Sequence, residues 1–249
     1  MIRIIAPVLF AFFVLGAIPA SAQTSSTMTI DLAEDSVDIT TGFNGGKIIV
    51  YGATKDQGDL AVVIRGPTRP MIVRRKSKIM GIWMNRQSVS FEGVPVYYDL
   101  ALSRPENEIA AHSVRREYDI GLDALVLQAD DNRDRNAINP FHEALIRNRQ
   151  ASGLYALEPR KITFLDDNFF RTSFYLPSNV PTGMYTAEVF QFRDGEMIEK
   201  HSREFKVGQT GLSASIFLFA YKNGILYGLV AVLVALISGW SAYAVLRRE

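Results

Sequence analysis

The run Ile225–Leu246, ILYGLVAVLVALISGWSAYAVL, decides how the rest of the chain is read. It carries no charged residue and ends against Arg247, Arg248 and Glu249. As a helix it extends roughly 33 Å, enough to cross the hydrocarbon core of a bilayer. The body ahead of it is then expected on one side of a membrane. Tyr221 and Tyr227 mark one headgroup level, Trp240 and Tyr243 the other. Arg247 and Arg248 follow the span directly, so the positive-inside rule places the tail in the cytoplasm.

The run has a second property. Gly224, Gly228, Ala231, Ala235 and Gly239 succeed one another at three- and four-residue steps, with Ala242 continuing the series. Such residues line one helix face and let another backbone approach closely. Lipid tails solvate apolar side chains as well as a leucine does, so this face is useful only against a partner helix. A second copy and a multi-span permease both fit; Gly and Ala are also simply common in membrane helices.

The chain opens with Met1-Ile-Arg3, an apolar stretch Ile4–Ile18, Pro19 and Ala20-Ser21-Ala22. That order is the pattern of a secretory signal peptide, with cleavage expected after Ala22 and Gln23 as the mature start. Leader and span agree on one orientation: inner membrane, single pass, body periplasmic, C-terminus cytoplasmic. Across all 249 residues the net charge is +1, which argues against a nucleic-acid binder. The absence of cysteine excludes disulfides, thiol nucleophiles, thiolate metal sites and a lipid anchored on Cys. An exported chain of this kind must be held by burial alone.

Between Thr27 and Ser103 the pattern is β. Met28, Ile30 and Leu32 alternate with polar residues, and Val37 and Ile39 do the same. Lys47–Tyr51, Leu60–Ile64, Met71–Val73, Val89–Phe91 and Val96–Leu102 are rich in β-branched and aromatic residues. Turn signals such as Asn44-Gly-Gly46, Gly66-Pro67 and Gly93 separate them. Strands return as Lys161–Leu165, Phe169–Leu176, Met184–Arg193 and Glu196–Val207, the last two joined by an Asp-Gly hairpin turn at Asp194-Gly195. Val180-Pro-Thr-Gly183-Met-Tyr185 has the form of the corner before a late strand of immunoglobulin-like domains, where a tyrosine hydroxyl caps nearby backbone. Between the β regions, Glu106–Glu117 and Ile138–Arg149 read as helices. Ser103 is the candidate N-cap of the first, with Pro105 in its first turn. Asn139-Pro140 is the start signal of the second, whose Phe141, Leu145 and Asn148 share a face.

The fold class is therefore mainly β with a helical connector: an immunoglobulin-like β-sandwich periplasmic region and one C-terminal transmembrane helix. The expected segments are a signal peptide 1–22, an N-terminal β-sandwich domain 23–103 and a helical connector 104–153. A C-terminal immunoglobulin-like β region 154–210, an interfacial segment 211–224, the transmembrane helix 225–246 and the cytoplasmic tail 247–249 follow. Whether the two β regions form one domain or two stays open.

Chemistry-bearing motifs are few. Gly42-Phe-Asn-Gly-Gly-Lys47-Ile48 is one residue short of a phosphate loop, and Ile48 stands where Ser or Thr would hold magnesium. His142-Glu143 begins like a zinc-protease helix, but Ile146 replaces the second ligand. Asp130, Asn132 and Asp134 alternate like a calcium loop, with Arg135 where Gly is needed and Phe141 where the bidentate Glu belongs. His112, His142 and His201 are scattered, and no triad can be drawn. No cofactor, metal or catalytic residue is assigned.

One polar constellation stands out. No acidic residue lies between Asp59 and Glu92, while Arg65, Arg69, Arg74, Arg75, Lys76, Lys78 and Arg86 all do. A strand over Met71–Met80 puts Arg74, Lys76 and Lys78 on one face, followed by the apolar Gly81-Ile-Trp83-Met. That stripe suits anionic lipid headgroups, a small anion or an acidic partner. An edge strand blunted against unwanted pairing would look the same.

Arg65-Gly-Pro67, Arg75-Lys76, Gly81-Ile-Trp83-Met-Asn85, Gly153-Leu-Tyr155 and Phe169-Phe-Arg-Thr172 carry a family likeness. So do Leu176-Pro177, Val180-Pro-Thr-Gly183-Met-Tyr185-Thr186, Arg193-Asp-Gly195 and Gly239-Trp240. The chain resembles a family of alphaproteobacterial transmembrane proteins to which no catalytic residue is assigned. The resemblance implies an association with permeases of the sulfite or sulfonate exporter type. The expected function is a non-catalytic accessory or interaction subunit of a membrane transporter. The alternatives are a periplasmic anion- or ligand-binding envelope sensor using Arg74, Lys76 and Lys78, and an enzyme with a dispersed active site.

Overall fold

A computed structural model describes residues 28–40, 42–131, 134–210 and 212–247. The signal peptide, the mature start and the last two residues, Arg248 and Glu249, lie outside the described residues. Strands form where apolar side chains alternate. β1 (Met28–Leu32) buries Met28, Ile30 and Leu32 and exposes the residues between. β2 (Ser36–Ile39), β3 (Gly46–Thr54), β4 (Asp59–Arg65), β5 (Thr68–Ile79), β6 (Ile82–Pro95) and β7 (Tyr98–Leu102) follow in order. The connector holds α1 (Glu106–Ile109), α2 (His112–Glu117), the short β8 (Gln128–Ala129) and α3 (Arg135–Ala151). Then come β9 (Arg160–Lys161), β10 (Thr163–Phe164), β11 (Phe169–Leu176), β12 (Gly183–Arg193) and β13 (Glu196–Gln209). Two helices, α4 (Leu212–Lys222) and α5 (Gly224–Leu246), close the chain.

Three sheets result, ordered β1-β3-β11-β10, β2-β13-β12-β4-β7-β9 and β5-β6-β8. The first two bury a common core that includes Ile30, Val50, Phe170, Phe174, Tyr185 and Phe205. This topology answers the question of one domain or two. β3 pairs with β11 and β4 with β12, so each sheet draws strands from both sides of the connector. The described strands of the segments expected at 23–103 and 154–210 therefore form one interleaved sandwich, because each segment supplies only part of a hydrogen-bonded ladder.

β4 is buried along its interior, at Leu60 through Ile64, which accounts for its unbroken apolar sequence. One face meets the opposing sheet. The other lies on the side of Phe190, whose ring sits 5.8 Å from Tyr118 of the connector. The connector thus covers the outside of the larger sheet.

Several local expectations change in three dimensions. Glu106–Glu117 is two short helices rather than one, broken at Ala110 in extended backbone. Pro105 occupies the N-cap position of α1, and the Ser103 hydroxyl instead accepts a bond from the Leu60 amide at 2.9 Å, tying β7 to β4. α3 begins at Arg135 after Asp134, and Pro140 lies inside it rather than at its start. Phe141 and Leu145 are buried as the shared face requires, while Asn148 is exposed. Lys161–Leu165 is not one strand: the chain passes from the larger sheet at β9 to the smaller at β10, with Ile162 buried between. The corner at Val180–Tyr185 does make its bond, the Tyr185 hydroxyl donating to the Pro181 carbonyl at 2.6 Å.

Candidate functional site

The basic stretch is one strand of a long hairpin. β5 has 12 residues and β6 has 14, paired from Thr68 opposite Pro95 to Ile79 opposite Ile82. Its base is anchored: Val89, Phe91 and Val94 form a small core with Phe141 and Leu145 of α3, against which Met71 and Val73 also pack. From Arg74 to Ser88 no residue is buried. At the strand rise, the six steps from Arg74 to Met80 carry the hairpin about 20 Å past its last packed pair.

Side chains on this projection are sorted along its length. Arg74, Lys76 and Lys78 are exposed on β5, opposite Ser88, Asn85 and Trp83. Among the described residues none of the three makes an ion pair with an acidic side chain. Arg86 is an extra residue of β6 at a register shift between Arg75 and Lys76 in the same zone. Beyond the cations the tip is apolar: Met80 is 98% exposed, Trp83 67% and Ile82 66%. Ile79 and Met84 accompany them at the surface. Met80 and Gly81 turn the chain with φ of 49° and 85°, the left-handed pair that a two-residue hairpin needs.

The sequence located the cationic face and the apolar Gly81-Ile-Trp83-Met after it, but not the hairpin turn that gathers them at one tip. β5 runs over nearly all of the expected Met71–Met80 strand, whereas Val89–Phe91 is only the packed end of β6, a strand of 14 residues. The signal that would have joined them is the turn, and Met-Gly lacks the Asn or Asp that marks such turns.

The second candidate set lies on α5. All its described side chains are exposed, and atoms built as Cβ on Gly224, Gly228 and Gly239 would meet nothing within 4 Å. Gly228, Ala231, Ala235 and Gly239 thus stand on an uncovered helix over which Gly224–Tyr243 is long and apolar enough to cross a membrane. Within the segment expected at 211–224, Leu212–Lys222 is helical. α4 runs into α5 through Asn223, whose amide donates to the Phe219 carbonyl at 2.8 Å and whose carbonyl accepts from Tyr227 at 2.9 Å. The hairpin cations and the helix face are not brought together: α5 touches α4, where the Phe219 and Tyr227 rings meet edge-on, and its described side chains are all exposed.

Elsewhere, titratable groups serve the fold. Arg65 on β4 pairs with Glu188 and donates to the carbonyls of Tyr118 and Asp119 at 2.6 and 3.1 Å, stitching the connector to the larger sheet. Burial pulls the Arg65 guanidinium below its ordinary value. Arg115 is held between Asp123 at 2.8 Å and Glu106 at 3.3 Å. Its hydrogen bond keeps the Asp123 carboxyl below the usual range, whereas burial and the neighbouring Asp123 charge raise Glu106. Burial raises Asp99 despite the 2.8 Å bond from Arg160. Asp123 lines two clefts, one of 190 Å³ shared with Tyr98, Glu106 and Gln150 and one of 660 Å³ shared with Arg116, His142 and Glu143. The first is below the ~300–1,000 Å³ of ligand sites and the second within it. His142 stacks edge-on to Phe91 at 6.3 Å, and burial lowers its pKa. A groove of 410 Å³ beside the hairpin is lined by Arg74, Arg75 and Arg147, with Glu143 as its acidic member.

A β-sandwich with an unpartnered, membrane-length C-terminal helix defines a membrane protein with one candidate span among its described residues. The particular assignment follows from the whole chain: residues 27–248 match the family described as "Putative transmembrane protein" (Alph_Pro_TM), and the chain belongs to that family. No curated protein matches it.

Proposed function

We propose that this protein is a non-catalytic accessory or interaction subunit of a membrane transporter. In this reading it is a single-pass protein of the bacterial inner membrane. An immunoglobulin-like body stands in the periplasm and the C-terminus in the cytoplasm. The observation that carries the reading is the uncovered small-residue face of α5, where Gly228, Ala231, Ala235 and Gly239 leave room for a second backbone. The partner would be a multi-span permease, of the sulfite or sulfonate exporter type that the family resemblance implies, or a second copy of the chain. The Tyr185 corner bond supports the immunoglobulin-like assignment of the body. Affinity purification of the full chain in mild detergent tests this. A multi-span protein is expected to co-purify, and Ala235→Leu or Gly239→Leu to reduce its recovery about tenfold, the effect of losing roughly 1.4 kcal/mol. Recovery of the protein alone, or recovery unchanged by both substitutions, overturns it.

A second reading is a periplasmic anion- or ligand-binding sensor. It is favoured by the groove in which Arg74, Arg75 and Arg147 outnumber Glu143, with Lys76 and Lys78 further along the same strand. Calorimetry with sulfite, an alkyl sulfonate and phosphate checks it. Binding that disappears in Arg74→Gln supports the sensor; no heat with any of the three removes it.

A further inference from the structure

The β5–β6 hairpin has a composition gradient that its own fold does not use. Packing ends at Val73 and Val89. Next comes a zone carrying Arg74, Arg75, Lys76, Lys78 and Arg86, and last the exposed Ile79, Met80, Ile82, Trp83 and Met84. An edge strand needs cations to discourage pairing, but it needs no tryptophan and methionines at its far end. The turn gives a second argument. Met80 holds left-handed backbone that Asn, Asp or Gly would adopt at lower cost. Its 98% exposure shows that no contact within the chain repays that cost.

We propose that this hairpin is a second membrane contact, its apolar tip entering the surface of the bilayer that holds α5 and its cations meeting anionic headgroups. The order of side chains is the order of a bilayer surface met from water, with charge at the headgroups and apolar groups at the acyl boundary. From Lys78 to the turn the apolar tip is about 7 Å deep. Interfacial elements bury their apolar parts by about 5–10 Å. The tether favours the same membrane. Only residues 210 and 211 separate β13 from α4, and the 11 residues of α4 extend at most about 16 Å. The body is therefore held within reach of the hairpin's ~20 Å projection. Confinement of this kind makes a weak surface contact effective. The free cations match the charge of acidic phospholipids, while Trp83 is the residue type that prefers the headgroup level. This inference is independent of what α5 packs against.

The test uses the full-length chain in lipid nanodiscs. The sequence has two tryptophans, so Trp240→Phe leaves Trp83 as the sole reporter. In discs of phosphatidylcholine mixed with phosphatidylglycerol, Trp83 emission is expected to shift to the blue and be quenched by lipids brominated near the headgroup end of the acyl chain. Quenching is expected to be several-fold weaker in pure phosphatidylcholine. Changing Arg74, Lys76 and Lys78 together to Glu should abolish the difference between discs. The sequence has no cysteine, so Met80→Cys provides an independent reading. A membrane-impermeant maleimide should modify it at least fivefold more slowly in the anionic discs than in the neutral ones. Trp83 emission that stays solvent-like and unquenched, with equal maleimide rates in both discs, overturns the proposal. Equal quenching in both discs overturns the recognition of anionic lipid. Shielding of Trp83 only after a co-purified acidic protein is added assigns the tip to that protein and overturns it as well. Because Met80 and Trp83 contact no core residue, these variants leave the sandwich intact, and a circular-dichroism melt on each verifies it.

Discussion

The hairpins β5–β6 and β12–β13 both close through two residues in left-handed backbone, Met80-Gly81 in one and Asp194-Gly195 in the other. They place their side chains in opposite environments. β12 is central to the larger sheet, between β13 and β4, and buries Tyr185 and every residue from Ala187 to Phe192. Its turn is polar, with Arg193 and Glu196 flanking Asp-Gly. β5 and β6 pack only at their base, and their turn lies between Ile79 and Ile82. One hairpin therefore puts apolar residues in the ladder and polar residues at the turn, as folding requires. The other reverses that order over its outer half. A reversal of this kind costs solubility and adds nothing to the core, so it points to a contact outside the chain.

Truncating one aromatic in each hairpin separates the two environments. Phe190→Ala should destabilise the sandwich by about 3–5 kcal/mol, because a fully buried ring leaves a cavity. Trp83→Ala should shift stability by less than about 0.5 kcal/mol, as surface changes do. Urea unfolding of the two variants, followed by near-ultraviolet circular dichroism, measures both; comparable losses would mean that the outer hairpin is structural after all. A smaller effect of opposite sign sharpens the contrast at the turns. Met80→Asn should stabilise the protein by about 1 kcal/mol by relieving left-handed backbone, while weakening retention on anionic lipid. A variant that loses stability and keeps its lipid contact would show that Met80 serves the fold.

The smallest expected effect is pH-dependent and sits where the outer hairpin is anchored. His142 of α3 lies against Phe91, and burial depresses its pKa below the ordinary 6.5. The folded state then binds fewer protons than the unfolded state. Stability contributed there is full above the unfolded value and is lost as pH falls through 6.5 towards the folded pKa. The protection factors of β6 amides near Phe91, exchange rates corrected for the intrinsic pH dependence, should fall in that window, and His142→Asn should remove the dependence. The β12–β13 amides around Phe190 serve as the internal control.

Some elements were legible without coordinates because their signals are local. β11 is the stretch Phe169–Leu176 read from alternation alone, since burying one face of a two-sided sheet imposes a period of two. The Asp194-Gly195 turn was legible because those residue types adopt its backbone at little cost. The span over Ile225–Leu246 was legible because a bilayer asks for length and hydrophobicity and for no particular neighbour. Arg74, Lys76 and Lys78 were placed on one face of a strand by the same period.

Other features depend on partners far along the chain. Nothing local says that β3 will pair with β11 rather than stay within an N-terminal unit, because ladder bonds carry no residue code. Pro140 reads as a helix start, yet α3 begins at Arg135, and Ile138 of that added turn packs on the small core with Phe141 and Leu145. The Ser103 hydroxyl reads as a cap and instead closes β7 onto β4. The outer hairpin shows the division most plainly. Its exposed middle has no apolar alternation to announce it, and its turn lacks Asn or Asp. Pairing with a complete opposite strand extends β5 from its packed base to Ile79. Periodicity, hydrophobicity and charge are local, and they give a β-rich body, a membrane-length helix and a cationic face with apolar residues after it. Pairing across the chain makes the body one interleaved sandwich and folds the cationic face and those apolar residues into one hairpin standing in solvent. Both depend on which distant backbone each strand pairs with.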